Sequence, residues 1–203
     1  MRISEKTIEL NFSSKLNYHL NNKIIWFGLT QKEEAKQGFD ISCKLKTRMY
    51  FFQIKATKKV LKSGVRQFTT PHHQLDALFK LSRLSPYSVF YVLPDFGNTS
   101  ELIKLSTLDN YWLLDINQIS SISAPTSKGG KLRKSSLHYI NMKAPYAIIH
   151  SEPIEVNLTS LGSFSNDNDS SGLTSIMFQD NFERFWDIIK PLSKRIKFGI
   201  MET

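Results

Sequence analysis

The sequence predicts the α/β class, in the form of an α+β domain with a mixed sheet, and three observations indicate it. Apolar residues recur at every fourth position over residues 4–20, which is the spacing of a helix. Two apolar segments, 38–45 and 49–56, have the length and composition of the strands of a β-hairpin. A helical segment at 72–84 then leads into a continuous apolar run at 88–93, which predicts a crossover to a parallel strand.

The first helix begins after Ser4, whose side chain can cap it, and carries one apolar stripe. The stripe is formed by Ile8, Phe12, Leu16 and Leu20. Glu5 and Glu9 project within the same stripe. A buried carboxylate is unfavourable unless something binds it, but acids are also favoured near a helix N-terminus. Each glutamate therefore either binds a partner or lies at the edge of the stripe.

The second strand of the hairpin consists mainly of apolar residues but has two polar residues near its end. A period of two separates its side chains into Phe51, Gln53 and Lys55 on one face and Tyr50, Phe52 and Ile54 on the other. Gln53 and Lys55 either belong to a site or form the exposed end of an edge strand, where a lysine discourages edge-to-edge pairing.

The later elements follow from turn residues and shorter apolar runs. Thr69, Thr70 and Pro71 predict the start of the helix at 72–84, with a cap candidate and a proline at the first helical position. Beyond residue 96 the pattern predicts strands at 111–116, 137–142 and 146–150, loops at 120–136 and 162–172, and an amphipathic helix at 178–190.

Composition limits the classes of protein to which this chain can belong. Its 203 residues, 40% of them hydrophobic, suffice for one folded domain with an appended part. No apolar run is long enough to cross a bilayer, and the first residues lack the apolar stretch of a secretory signal. A single cysteine excludes a disulfide framework, a cysteine zinc site and an iron–sulfur cluster. We therefore expect a soluble, cytoplasmic protein with no membrane partner.

The formal net charge of +9 favours a polyanionic partner, with nucleic acid first. The excess is concentrated in residues 55–66 and 128–143, neither of which contains an acidic residue. Such segments are either solvated loops or contacts to a nucleic-acid backbone. The candidate contacts in and after the first segment are Lys58, Lys59, Lys62, Arg66, His72, His73 and Gln74.

The polar residues of the first helix and the hairpin can converge on one spot. A glutamate of the helix, Asp40 before the first strand and Gln53 at the end of the second supply the oxygen ligands that Mg²⁺ or Mn²⁺ prefers. A lysine beside such an ion, here Lys55, could orient or deprotonate a water and stabilise charge on a phosphate. The arrangement predicts hydrolysis of a phosphodiester bond, whereas Asp40 taken alone could simply be a turn residue.

Gly38-Phe39-Asp40 followed across the hairpin by Gln53-Ile54-Lys55 resembles the PD-(D/E)XK nuclease superfamily, in the branch where Gln replaces the second acid. The resemblance covers about residues 4–95 and implies a restriction-endonuclease-like α-β-β-β-α-β core with a C-terminal extension. The stretches at 33–40 and 91–94 are also similar to uncharacterised bacterial members, several of them linked to anti-phage defence.

Carried over to this sequence, the resemblance implies a role for each residue of the motif. Asp40 would be the central metal ligand, Gln53 the second ligand through its side-chain oxygen, and Lys55 the catalytic lysine. The helix glutamate would be Glu9, with Glu5 as an alternative, and Glu34 would be a further ligand or positioning group. Some members use a glutamine on the following helix, where Gln74 stands.

Two functions therefore remain open. The first is a Mg²⁺- or Mn²⁺-dependent endonuclease acting on DNA, with its core in residues 1–95 and further strands, loops and a helix in 96–203. Because Gln in place of an acid weakens metal binding, the second is a catalytically weak or inactive nuclease-fold subunit. That subunit would bind nucleic acid or a protein partner, such as an ATPase or helicase of a defence complex.

Overall fold

Two β-sheets and five α-helices are found in the described part of the chain. The computed structural model describes residues 1–105, 107–120, 122, 137–149 and 152–170. The helices are α1 (Glu5–His19), α2 (Gln31–Gln37), α3 (His72–Leu84), α4 (Thr99–Leu105) and α5 (Leu161–Ser170). The strands are β1 (Ile24–Gly28), β2 (Ile41–Leu45), β3 (Arg48–Ile54), β4 (Lys59–Val60), β5 (Arg66–Pro71), β6 (Val89–Pro94), β7 (Tyr111–Asp115), β8 (Leu137–Lys143), β9 (Tyr146–Ile149), β10 (Glu152–Asn157) and β11 (Thr159–Ser160).

The first sheet is mixed and has six strands in the order β1-β2-β3-β6-β7-β11. Strand β3 lies near its centre, antiparallel to β2 and parallel to β6. The parallel pair is possible because α3 carries the chain back across the sheet between the two strands. The mixed sheet and the α/β class predicted from the sequence are therefore confirmed.

The second sheet is antiparallel and has five strands in the order β10-β9-β8-β5-β4. It combines the segment between β3 and α3 with strands from beyond residue 136, since β5 pairs with β8. Its inner face, which includes Phe68, Ile140 and Met142, packs into the same hydrophobic core as Leu75 and Leu78 of α3.

The two faces of the first sheet bury different cores. On one side Ile8, Phe12 and Leu16 of α1 pack against the sheet, as their spacing predicts. On the other side α3 and the second sheet cover Phe51 and Tyr91. Strand β3 is therefore covered on both faces, and its seven residues lie in the interior except the half-buried Arg48.

Most elements predicted between residues 4 and 95 are confirmed, including the Ser4 cap, the hairpin, α3 and β6. The strands predicted at 111–116, 137–142 and 146–150 are also present as β7, β8 and β9. Among the described residues, no helix is long and apolar enough to span a membrane. The amphipathic helix predicted at 178–190 and most of the loop at 120–136 lie outside the described residues.

Two of the sequence predictions are wrong. Residues 162–170 belong to helix α5 rather than a loop, because Leu161 and Phe164 are buried against the first sheet and supply the packing that stabilises the helix. Thr70 does not cap α3, because it lies in strand β5 and Pro71 occupies the N-cap position.

Candidate active site

The turn between helix α2 and strand β2 positions Asp40, which is the last residue before β2. Helix α2 ends at Gln37 and is capped by Gly38, whose φ of 82° lies in the left-handed region, and the chain then turns toward the sheet. A Cβ at Gly38 would lie 3.0 Å from both the Ala77 Cβ and the backbone oxygen of Gln74, so glycine also permits the close approach of α3. The backbone N–H of Asp40 donates to the carbonyl oxygen of Phe52 at 3.0 Å, which fixes the register of Asp40 relative to β3.

The carboxylate of Asp40 is mostly buried and accepts two hydrogen bonds at one oxygen. The Ile54 backbone N–H donates to Oδ2 at 2.6 Å and the Gln53 Nε2 donates to the same oxygen at 2.7 Å. Burial raises the pKa of Asp40 to about 6, although these hydrogen bonds and the positive charge of Lys55 act in the opposite direction. The carboxylate is therefore an incompletely compensated negative charge.

Gln53 and Lys55 extend from the same face at the end of β3, as the period of two predicts. They are only 1% and 4% exposed, which excludes the alternative that they form the exposed end of an edge strand. Neighbouring β6 pairs with this end of the strand, and the backbone N–H of Lys55 donates to the Val92 oxygen at 3.1 Å. Burial lowers the pKa of Lys55, while Glu5 and Asp40 favour its charged form.

A chain of hydrogen bonds connects Lys55 to Asp40 through two amide side chains. The Lys55 Nζ donates to Gln74 Oε1 at 2.6 Å, and the Gln74 Nε2 donates to Gln53 Oε1 at 2.9 Å. Gln53 then donates to Asp40. An ammonium can only donate and a carboxylate can only accept, so the two ends set the orientation of both amides.

Thr70 and Tyr91 continue this network into the interior. Thr70 Oγ1 donates to Gln74 Oε1 at 3.1 Å and lies 2.8 Å from the Tyr91 hydroxyl oxygen. Because Thr70 uses its proton on Gln74, Tyr91 is the donor of the second bond. Both side chains are fully buried, so this pair satisfies two polar groups and holds the Gln74 amide in place.

The three candidate glutamates are not equivalent. The Glu5 Oε1 lies 4.0 Å from Lys55 Nζ and accepts from the Ala56 backbone N–H at 3.3 Å. Glu9 instead forms a 2.6 Å ion pair with Lys6. Burial and the charge of Glu9 raise the pKa of Glu34, which indicates that these two carboxylates interact with each other. Glu5, rather than the Glu9 that the resemblance implies first, is therefore the helix glutamate beside Lys55.

The basic candidates fall into two groups. Lys58, Lys59 and Lys62 are exposed. Arg66 instead forms ion pairs with Asp95 at 2.8 Å and Glu101 at 3.1 Å, so its guanidinium already has two anionic partners.

The two histidine candidates at the start of α3 also differ. His72 Nδ1 is hydrogen-bonded to Nε2 of the buried His138 at 2.9 Å, whereas His73 is exposed. Of the residues proposed from the sequence as nucleic-acid contacts, only Gln74 takes part in the polar network around Lys55.

Sequence reasoning did not identify Thr70, Tyr91 or His138 as members of this region. One signal was available for Tyr91, because a tyrosine inside a strand that is apolar throughout needs a partner for its hydroxyl group. Nothing in the sequence identifies the partner, since Thr70 and Tyr91 are brought together only by the packing of the second sheet on the first.

Hard divalent cations prefer oxygen ligands, and Mg²⁺ is often bound through one or two carboxylates with water completing the shell. The buried, incompletely compensated carboxylate of Asp40 has the donor chemistry that such an ion requires. Within residues 1–105, 107–120, 122, 137–149 and 152–170, no group of three His, Cys, Asp or Glu side chains is arranged to hold a metal ion.

Comparisons of the chain with protein-family models, with curated proteins and with solved structures found no match.

Proposed function

We propose that this protein is a metal-dependent nuclease that hydrolyses phosphodiester bonds of DNA. The observation that carries the proposal is the hydrogen-bonded chain that connects the buried Lys55 and Gln53, at the end of a central strand, to the half-buried carboxylate of Asp40. Burying a lysine and an aspartate at one place costs free energy of folding, and such costs are typical of functional sites. The exposed Lys58, Lys59 and Lys62 follow directly in the chain and suit a polyanionic substrate.

The order of elements supports the assignment of a restriction-endonuclease-like core. Helix α1, the antiparallel strands β1, β2 and β3, helix α3 and the parallel strand β6 follow the order of the restriction-endonuclease-like core. Helix α2 and the β4–β5 hairpin are insertions in that order. The context of anti-phage defence rests on the sequence resemblance alone.

Each polar residue has a distinct role in the proposed reaction. Asp40, together with the Gln53 oxygen and Glu5 or Glu9, would hold Mg²⁺ or Mn²⁺. The bound ion would supply Lewis-acid stabilisation of the phosphate and activation of water. Lys55 would orient the attacking water and stabilise negative charge on the phosphate. Gln74 holds the Lys55 ammonium, and Thr70 with Tyr91 holds Gln74.

Cleavage of supercoiled plasmid in Mg²⁺ or Mn²⁺ tests the proposal. Wild-type protein is expected to nick or linearise the plasmid, whereas Asp40→Ala and Lys55→Ala are expected to lose at least about 100-fold in rate. Asp76→Ala and Lys80→Ala are matched controls, because these residues form an exposed ion pair on α3 and remain outside the site. Equal cleavage by all five proteins would contradict the assignment of the site.

The second function is a nuclease-fold subunit that binds nucleic acid or a partner ATPase or helicase without cleaving. One observation favours it: the Gln53 oxygen accepts from Gln74, and the Gln53 amide nitrogen faces Asp40. Gln53 would have to turn its amide over before its oxygen could bind an ion beside Asp40.

Gln53→Glu distinguishes the two functions. If Gln53 is a metal ligand, the added charge should strengthen Mn²⁺ binding and raise the cleavage rate. If Gln53 serves only to donate to Asp40, a carboxylate beside Asp40 should lower stability and leave Mn²⁺ binding unchanged. DNA binding that persists in Asp40→Ala, with no cleavage in any metal, would favour the non-catalytic function.

A further inference from the structure

The outer face of the second sheet carries an apolar stripe that the proposed nuclease site does not use. Four side chains on this face are 39–46% exposed: Leu137, Tyr139, Tyr146 and Ile148. The alternate residues of the same strands, among them Ile140, Met142 and Ala147, are buried in the core. The exposure therefore follows the alternation of β8 and β9, with Asn141 half-buried on the same face.

The register of the strands makes the stripe continuous. Tyr146 on β9 lies opposite Lys143 on β8. Two residues further along each strand, Ile148 lies opposite Asn141. Tyr139 is two residues from Asn141 on β8, so Ile148 is its diagonal neighbour. A strand rises about 3.4 Å per residue and neighbouring strands lie about 4.8 Å apart, so the Cα atoms of the two tyrosines are roughly 14 Å apart, with Ile148 between them.

Positive charge flanks this stripe on the same sheet. Lys143 lies directly opposite Tyr146, and Lys59 lies in the row that runs through Gln67 and Asn141 to Ile148. Lys58 and Lys62 are exposed in the same β4–β5 hairpin at the sheet edge. The row ends in one acid, Glu155, which lies opposite Ile148 on β10. The positive charge is thus concentrated at the β4 edge and at the β8–β9 turn.

We infer that this face binds single-stranded nucleic acid, with bases stacked on Tyr139 and Tyr146 and the backbone near Lys59 and Lys143. Aromatic rings that are exposed on a sheet face offer stacking surfaces that every base can use, and flanking lysines attract the phosphates. In a duplex the bases are stacked on one another and cannot reach the rings. The ligand is therefore a single strand rather than a duplex.

This inference shares with the proposed function the assumption that the protein meets nucleic acid and the exposed lysines of the β4–β5 hairpin, but the face does not include the Asp40–Lys55 network. Binding of a single strand to this sheet face does not require the cleavage reaction. Binding is therefore measured in EDTA, where a metal-dependent reaction cannot occur. Failure of cleavage and failure of this inference are then distinguishable.

The test measures fluorescence anisotropy of a labelled 15-nucleotide oligo-dT and of a hairpin duplex of equal length. We expect the single strand to bind at least about ten times more tightly than the duplex. Tyr139→Ala and Tyr146→Ala should each weaken binding by roughly 5- to 150-fold, the range for loss of one stacked base. Tyr146→Phe keeps the ring and should bind like wild type.

Tyr18→Ala serves as the matched control, because Tyr18 is 85% exposed on α1, away from the second sheet, and should bind like wild type. Equal binding of duplex and single strand, with Tyr146→Ala unchanged, would overturn the inference. Sedimentation showing a dimer that Tyr146→Ala dissociates would also overturn it, because a second copy of the chain would then occupy the face.

Discussion

The two faces of strand β3 show opposite ways of filling the interior of one sheet. On one face Phe52 contributes only a ring, which lies 5.0 Å from the Phe12 ring and 6.0 Å from the Phe90 ring, centroid to centroid. On the other face Gln53 and Lys55 are almost equally buried but need the partners Asp40 and Gln74. The apolar face stabilises the fold through packing, whereas the polar face is tolerated because its hydrogen bonds are satisfied.

The largest effect is expected on the apolar face. Phe52→Ala should lower the free energy of unfolding by about 3–5 kcal/mol, because it removes a fully buried ring and leaves a cavity. Phe27→Ala is the matched control, since Phe27 is 44% exposed on the edge strand β1 and should cost far less. Urea denaturation of both variants measures the difference. Equal losses would show that the aromatic cluster does not stabilise the sheet.

On the polar face Asp40→Asn should stabilise the protein above pH 6. The folded-state pKa of Asp40 is raised from 3.8 to about 6, so its ionised form disfavours folding at neutral pH. At about 1.4 kcal/mol per pKa unit, the variant should gain up to about 3 kcal/mol at pH 8. As the pH falls from 6 to 4, wild type becomes protonated and the gain should disappear.

Urea denaturation of wild type and Asp40→Asn at pH 8, 6 and 4 in EDTA provides this comparison. Asp76→Asn, at an exposed ion pair on α3, is expected to change stability by less than about 1 kcal/mol. A destabilised Asp40→Asn at pH 8 would mean that the aspartate contributes to folding like an ordinary paired carboxylate.

The position of Asp40 depends on the turn that precedes it. Gly38→Ala should destabilise by about 2 kcal/mol or more, because it adds a Cβ both in a left-handed conformation and against α3. Gly64→Ala separates these causes, since Gly64 has a φ of 79° but a Cβ added there would meet no atom within 4 Å. Thermal denaturation should therefore show the smaller loss for Gly64→Ala.

The smallest effect concerns the inner end of the polar network. Tyr91→Phe removes a buried donor to Thr70 and should cost about 1 kcal/mol, with a modest fall in cleavage rate. Tyr87→Phe, at a tyrosine that is 61% exposed, should leave both stability and cleavage unchanged. If Tyr91→Phe left stability and cleavage at wild-type values, Thr70 and Tyr91 would not position Gln74.

The sequence predicts the apolar face of this comparison better than the polar one. The spacing of Ile8, Phe12 and Leu16 and the alternation along β3 predict which side chains are buried, because burial follows the period of the element. The same alternation places Gln53 and Lys55 on one face. The helical period alone does not decide between Glu5 and Glu9, because both lie near one stripe.

The elements that the sequence did not predict depend on tertiary contacts. Helix α2 has one apolar residue, Ala35, and no apolar period, so its local signals are the capping box and the glycine that follows it, Gly38. Helix α5 is rich in Ser, Asn and Asp, residues that favour loops, and it is stabilised by the burial of Leu161 and Phe164. Strand β5 exists because β8, nearly seventy residues later, pairs with it.

The most direct test of the central claim is Mn²⁺ binding to the polar face, measured at pH 7.5 by the electron paramagnetic resonance signal of the free ion. Wild type should bind Mn²⁺, Asp40→Asn should bind it at least about ten times more weakly, and Asp76→Asn should bind it like wild type. Equal Mn²⁺ affinity in wild type and Asp40→Asn would contradict the account, because the buried carboxylate would then have no part in holding a cation.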